Sequence, residues 1–388
     1  MVDATGVILR KSATADNFSP MVVSGAEAAQ CHASVCEDLC PAPSQHPVWV
    51  ANWMSHSGTD AFVAVVCDVH EEPVLSLPLQ TSVSGGVKVA TYQSGSHANG
   101  NFPAIRPGSQ PVPQAVLVGL VEEIAKARPD IDLLLLERQA ATSNGVENPF
   151  LAFPHSDSPN PALAVSLDGG FDAVLARSSG KRKRKKHRSQ VRKFESLGDW
   201  RRYRADTPSS TEQMLNAFFV MKAERFQQMG IENKFADTGV QRFFHELFAE
   251  ACTAPNPPFV LHGLEVAGKL RAVTGSSICT GRIVCEFSSF ADDDAAHASP
   301  GDFLFFENIR EACQLGMSIY DFSVGDEPYK RLWCDREEIQ FDCRIPLTAK
   351  GKLAAMAYRT AAEAKRAIKS NSTLWQTAKK IRRTVSGG

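Results

Sequence analysis

Tyr329 and Lys330 follow two acids, Asp326 and Glu327, in the run Asp321-Phe322-Ser323-Val324-Gly325-Asp326-Glu327-Pro328-Tyr329-Lys330-Arg331-Leu332-Trp333. A tyrosine can protonate a leaving group, a lysine can steady negative charge, and a carboxylate can take or orient a proton on an amine. Gly325 permits a tight turn and Pro328 sets the start of a short helix, so these side chains gather along one turn. The alternative is a capped turn with Tyr329 and Trp333 packed on a core. The short apolar run Met317 to Phe322 predicts a strand just before the motif, and strand ends are where open α/β sheets place ligands.

A second group of candidates lies upstream. Arg282 to Phe290 predicts a strand that carries Glu286 between Val284 and Ser288, an unusual place for a charge. Facing a cleft, Glu286 would be a usable general base; facing water, it is a surface carboxylate. The following Ser299-Pro300-Gly301-Asp302 is a helix start whose exposed N–H groups suit a phosphate. The same four residues also fit a capping box, with Asp302 satisfying the local amide, and alone they favour that structural reading.

The elements that must position these residues follow from the pattern of apolar residues. In the first half a helix is expected at Gly25 to Cys40, strands at Ala61 to Asp68, Pro73 to Gln80 and Val87 to Ser94, a helix at Val112 to Ala127, and buried strands at Ile131 to Leu136 and Pro161 to Leu167. In the second half helices are expected at Thr211 to Met229 and Val240 to Ala251, then strands at Phe259 to Val266, Lys269 to Ile278 and Arg282 to Phe290, and a helix at Gly301 to Leu315. Both halves read helix, three-strand meander, helix, strand, the order expected of two related α+β modules with mixed, largely antiparallel sheets. The boundaries drawn from this order are a loose arm at 1–20, a first module at 21–170, a basic connecting helix at 171–197, a second module at 198–347, and a helical tail at 348–388.

The chain of 388 residues carries 42 Lys plus Arg against 43 Asp plus Glu, so electrostatic function must be regional. The one dense region is Lys181-Arg182-Lys183-Arg184-Lys185-Lys186-His187-Arg188, extending to Lys193. It is either a solvated basic connector or a contact for RNA or another anionic surface, because a run of like charges repels itself. No apolar run reaches the roughly 18 residues needed to cross a bilayer. The N-terminus lacks the pattern of a secretory signal, so the ten cysteines are expected to stay reduced in the cytoplasm. His32, Cys36 and Cys40 share a helix face, with His46 beyond, but Cys-x2-Cys knuckles are absent, and packing rather than metal binding is expected there. Cys279 and Cys285 flank a turn at Thr280-Gly281 on opposite faces and should not bond.

The combination of Asp321-Phe322, Gly325-Asp326-Glu327-Pro328-Tyr329-Lys330 and Trp333 with Ser299-Pro300-Gly301 resembles the CelD/BcsL group of GNAT-type acetyltransferases, linked to bacterial cellulose biosynthesis. The Lys/Arg-rich segment is similar to that group as well. The layout is also similar to the FemAB-type transferases, which take aminoacyl groups from tRNA. This resemblance implies two tandem GNAT-like modules, the first degenerate, and acyl transfer to an amine or hydroxyl on a small molecule or sugar precursor. It implies acetyl-CoA or another acyl-CoA as co-substrate, with no metal. The donor would lie between the strands Arg282 to Phe290 and Met317 to Phe322, against Phe287, Ser288 and Ser289, with its phosphates at Ser299, Gly301 and Asp302. The family's usual phosphate loop is not cleanly present in His297 to Asp302. Glu286 or Asp326 would serve as base, Tyr329 as acid, and Lys330 as a charge-steadying group. Two alternatives stay open: an aminoacyl-tRNA donor, and a non-catalytic scaffold that binds through Lys181 to Lys193.

Overall fold

The computed structural model describes residues 17–36 and 42–370, which gather into two compact units. One comprises residues up to Met54 with Thr59–Ser158 and Gln340–Ala361; the other is centred on Pro159–Ile339. The first unit begins with strand β1 (Ser19–Ser24), helices α1 (Ala26–Cys36) and α2 (Pro47–His56), and strands β2 (Ala61–Cys67), β3 (Pro73–Ser84) and β4 (Val87–Tyr92). It continues with β5 (Ala104–Ile105), α3 (Gln114–Ala127), β6 (Leu133–Gln139), the small hairpin β7 (Thr142–Ser143) and β8 (Val146–Glu147), and β9 (His155–Asp157).

The second unit comprises β10 (Ala162–Ser166), α4 (Gly170–Arg177), α5 (Gly180–Leu197), β11 (Trp200–Arg204), α6 (Pro208–Met229), α7 (Thr238–Cys252), β12 (Phe259–Val266), β13 (Lys269–Cys279) and β14 (Arg282–Phe290). Helix α8 (Pro300–Gln314), β15 (Ile319–Val324), α9 (Pro328–Arg331) and β16 (Arg336–Glu338) complete it. Strand β17 (Phe341–Pro346) then returns to the first unit, and α10 (Ala349–Ser370) ends the described chain.

The two sheets share one plan. The first runs β1-β2-β3-β4-β6-β17-β9, with β5 on β3; the second runs β11-β12-β13-β14-β15-β10-β16. Among the paired strands of the described residues only β4 with β6 and β14 with β15 are parallel, so the mixed, largely antiparallel sheets are as expected. The strands inside the last hairpins are exchanged. β10 follows β9 in sequence but lies in the second sheet, and β17 follows β16 but lies in the first. Element order cannot reveal this, because both strands are short and apolar enough to fill either slot, and the module limits 21–170 and 198–347 therefore differ from the contact units at these two strands.

Several local expectations change. The helix expected across Phe171 to Leu197 is two helices, interrupted at Ser178 and at Ser179, whose φ is 50°. The second helix can start close under the first because Gly180 has no side chain: a Cβ there would come within 2.6 Å of the Leu175 carbonyl oxygen. The expected arm ends in a strand, β1, which pairs with β2; residues 1–16 lie outside the described residues. Strand β11 was hidden by its arginines, and α2 by the proline that opens it. The helix at Ala349 extends to Ser370, and the rest of the expected tail helix lies outside the described residues. Of the possible metal ligands, Cys40 lies outside them too, and His32 is a buried structural residue. Its Nδ1 is 2.9 Å from Ser76 Oγ and its Nε2 is 2.7 Å from the Gln45 carbonyl, while burial pulls its pKa down to about 4.

Around β14 the packing depends on one glycine. Gly275 pairs with Phe287, and the Phe287 ring lies directly over the place a Cβ would take. Gly275→Ala should overpack this position and cost about 1–3 kcal/mol. A urea unfolding midpoint equal to that of the wild type would contradict this packing.

Candidate functional site

β14 and β15 run parallel and pair over three positions only, Arg282↔Ile319, Ile283↔Tyr320 and Val284↔Asp321. Beyond Val284 no strand among the described residues pairs with this edge of β14, so its last residues and the end of β15 diverge into a wedge. Each strand is irregular where they part. In β14 the register shifts so that Gly275 and Ser276 oppose Phe287 and Cys285, which makes Glu286 an extra, bulged residue. Ile283 and Cys285 therefore face the cluster of Phe305, Phe306, Tyr320 and Phe322. Phe287, which in a regular strand would share their face, instead packs on α6 and α7, 4.3 Å from Phe218 and 5.2 Å from Phe244 between ring centroids. In β15 the register against β10 also slips, and Ser323 adopts a φ of 58°.

Buried charges hold this divergence in place. Asp321 accepts from the Ser323 amide (2.6 Å) and from Arg282 Nη1 (2.7 Å), and Arg282 Nη2 also pairs with Glu338 Oε1 at 2.7 Å. Burial pushes the Asp321 pKa up while Arg282 opposes the rise. Lys330 is only 4% exposed, yet it is fully engaged. Its Nζ donates to the Val324 carbonyl at 3.0 Å and the Ser323 carbonyl at 3.3 Å, and pairs with Glu327 Oε2 at 2.9 Å. Lys330 thus ties α9 back to the end of β15. Gly325, with φ 123°, allows the turn between them, since a Cβ would lie 2.7 Å from the Glu327 carboxylate.

The candidate residues separate into two groups. Tyr329 sits at the wedge, its ring stacked on Phe305 at 5.5 Å and edge-on to Phe322 at 6.0 Å, and burial drives its hydroxyl pKa well upward. Glu286 sits at the bulge and accepts from Ser277 Oγ. Ser288 and Ser289 lie on the open stretch of β14, and the Ser289 hydroxyl is buried with no partner among the described residues. Asp326, by contrast, is half exposed and forms an ion pair with Arg331, whose other arm reaches Glu337 at 2.6 Å. The motif also begins inside the strand rather than beyond it, because β15 extends to Val324.

At the start of α8, Ser299 has φ 55° and ψ 63°, and its side chain makes no capping bond. The expected capping box is therefore absent, because the left-handed backbone turns the hydroxyl away from the helix and Asp302 pairs with Lys186 at 3.0 Å instead. Gly301 packs against Phe290, the last residue of β14; a Cβ there would meet its ring at 3.0 Å. This brings the open end of β14 and the amino end of α8 together.

Two residues of this site escaped the sequence reading. Lys222 of α6 donates to the Ser288 carbonyl at 3.1 Å and lies over Phe226, Phe235 and Phe218 at 5.0, 5.8 and 5.9 Å. Desolvation brings its pKa down to about 8; Cys285 and Glu327 oppose that fall, and Arg225 and Lys330 add to it. Arg225, one turn further along, lies 4.6 Å over the Phe290 ring. The available signal was a lysine on the otherwise apolar face that carries Phe218, Phe219 and Met221. Burial pushes the Cys285 thiol up to about 12, which disfavours its thiolate at neutral pH.

The corresponding wedge of the first unit is filled by its own chain. β4 and β6 pair at two positions, and the space beyond is crossed by Asn101, which accepts from Ala140 N at 2.9 Å and donates its own N–H to Arg138 O at 2.8 Å. The Tyr92 hydroxyl donates to Gln139 Oε1 at 3.0 Å across the same gap.

Residues 181–331 match the family model described as an acetyltransferase (GNAT) domain. Among solved structures, FemX is similar at a TM-score of 0.57 and 10% identity, over 87% of this chain and 100% of that one. A domain described as the C-terminal (DUF2156) part of a lysylphosphatidylglycerol synthetase from Agrobacterium fabrum is similar at 0.52 and 10%, over 87% and 95%. A conserved protein of unknown function from Bacteroides thetaiotaomicron VPI-5482 gives 0.50 and 13%, over 83% and 97%. No curated protein is significantly similar in sequence. The family match identifies an acetyltransferase (GNAT) domain over residues 181–331, within the second unit, and the structural likenesses are likenesses of fold.

One property of the site can be measured without a substrate. Above about pH 8 the folded chain holds Lys222 neutral, whereas the unfolded chain keeps it charged to the ordinary lysine range. The folded pKa is depressed, so the penalty for this lysine is complete below pH 8 and disappears as pH rises through that window. Burial also brings Lys183 down to about 8, so reductively 13C-methylated protein should show two lysines titrating near pH 8, of which one is missing in Lys222→Met. A Lys222 resonance titrating above pH 10 would contradict the burial described.

Proposed function

We propose that the second unit transfers an acyl group from acyl-CoA to an amine or hydroxyl, with the donor in the wedge between β14 and β15. The observation that supports this most strongly is the open edge of β14 from Cys285 to Phe290, which ends against the start of α8. An extended amide-bearing chain can pair with such an edge as an added strand does. The uncapped amino end of α8 and Arg225 are suited to the phosphates that follow. The filled wedge of the first unit favours placing the donor in the second.

In this reading the acceptor attacks the acyl carbonyl carbon. A C–N or C–O bond forms, the C–S bond breaks, and the acceptor's proton passes to the Glu286 carboxylate. Tyr329 returns a proton to the departing sulfur, a role that suits a phenol kept protonated by its surroundings. Backbone N–H groups at the bulge would meet the developing oxyanion. Lys330 acts through position, by holding α9 and hence Tyr329, because its amine already has three oxygen partners. Asp326 is the weaker choice of base, since Arg331 occupies its carboxylate. The motif's resemblance to the CelD/BcsL group favours a sugar precursor as acceptor, and the aminoacyl-tRNA donor is the alternative.

Calorimetric titration with acetyl-CoA should give saturable binding, and none with uncharged tRNA in competition for the same site. In thiol-release assays with aminosugar acceptors, Glu286→Gln and Tyr329→Phe should each lower kcat by about 10²-fold or more while acetyl-CoA still binds. Absence of binding by both CoA and acetyl-CoA would overturn the donor assignment, and normal turnover by Tyr329→Phe would remove it as the acid.

A further inference from the structure

Helix α5 has two opposite faces with different electrostatic circumstances. On the inner face, Lys183 lies 4.2 Å over the Trp333 ring and donates to the Leu332 carbonyl at 2.6 Å. Lys186 pairs with Asp302 at 3.0 Å, His187 Nε2 is 2.6 Å from Glu307 Oε1, and Lys193 donates to the His297 carbonyl at 2.9 Å. Gln190 and Phe194 are buried between them. These contacts fix the helix against α8 and account for half of the basic run that the sequence left unexplained.

The outer face has no such compensation. Lys181, Lys185, Arg188 and Arg192 recur at helical spacing, which places them within roughly a 60° arc along about 16 Å of helix, directly opposite Gln190. All four are exposed, and none meets a carboxylate among the described residues. Arg184, to one side, is by contrast paired with Asp172 at 2.5 Å. Neighbouring like charges three and four residues apart oppose helix formation. The fold tolerates that cost at a surface it does not use for packing. No apolar side chain lies on the arc to enter a bilayer.

We infer that the outer face of α5 is a docking surface for the phosphodiester strand of a nucleic acid, engaged through Lys181, Lys185, Arg188 and Arg192. A line of point cations suits a line of phosphates, and binding through the backbone alone is independent of sequence. The inference rests on α5 and not on the identity of the acyl donor. It gives the domain a way to retain an RNA-linked or RNA-associated substrate beside α8.

The test is fluorescence anisotropy of a labelled RNA stem-loop and a DNA hairpin of the same sequence, measured over a salt series with the full chain. Both should bind, with a slope of log affinity against log salt near −3 to −4, as four neutralised phosphates require. The variant Lys181→Gln, Lys185→Gln, Arg188→Gln, Arg192→Gln should weaken binding at least tenfold and flatten the slope. Its acetyl-CoA isotherm should be unchanged, which separates this surface from the donor site and shows that the variant is folded. Failure of the wild type to bind at low salt would overturn the inference, as would unchanged binding by the variant. Capture by phosphatidylglycerol vesicles that RNA does not compete away would also overturn it, in favour of a lipid surface.

Discussion

The architecture of the second unit depends on how briefly two parallel strands stay together. β14 and β15 share three paired positions, and both become irregular at once afterwards: Glu286 bulges from one, and Ser323 takes a left-handed backbone in the other. A regular pair would continue its ladder and close the gap. Here Asp321 does the opposite. Its carboxylate holds the Ser323 amide in the irregular conformation while Arg282 pins the last paired residues, and the buried Lys330 then takes the two carbonyls that the divergence releases. A buried charge without partners would be costly, so these groups are mutually dependent, and the wedge is a consequence of that dependence.

The wall opposite the wedge is equally fixed. Arg202 of β11 reaches Glu311 of α8 at 2.9 Å, and His262 of β12 lies 3.0 Å from the same carboxylate. Burial works against the Glu311 charge, yet Arg202 and His262 hold its pKa well below the usual carboxylate range. Asn308 adds a bond to Thr274 Oγ1 at 2.9 Å. Together with the inner face of α5, these contacts set the position of α8 against the sheet. They therefore set where its amino end meets Phe290, so that one wall of the wedge is placed by polar contacts and the other by the Arg282, Asp321 and Lys330 set.

Much of this was legible in the residues. Periodicity located most strands and helices to within a few residues, and the match of element order between the halves anticipated two sheets of one plan. The strand exchange was not legible, since β10 and β17 carry no feature that chooses a sheet. Site residues divided by the reach of their determinants. Tyr329 and Glu286 stand on local motifs and could be nominated from them. Lys222 is brought to Ser288 by the packing of α6 on β14, 66 residues away in sequence, and its place on an apolar helix face does not say what it meets. Lys330 and Asp326 were recognised by type but not by partner. Only the fold shows that one holds carbonyls of β15 and the other an arginine of α9. The basic run was similarly half readable: its spacing places four cations in line, while which face is compensated depends on α8.

The central claim is that the unpaired edge of β14 receives the acyl donor. Hydrogen–deuterium exchange with and without acetyl-CoA tests it directly, because amides on that edge have no strand partner among the described residues. Peptides covering Cys285–Phe290 and the first turn of α8 should become protected on addition of the ligand, with the first unit unchanged. Protection confined to the first unit, or no change at Cys285–Phe290 under saturating acetyl-CoA, would contradict the account.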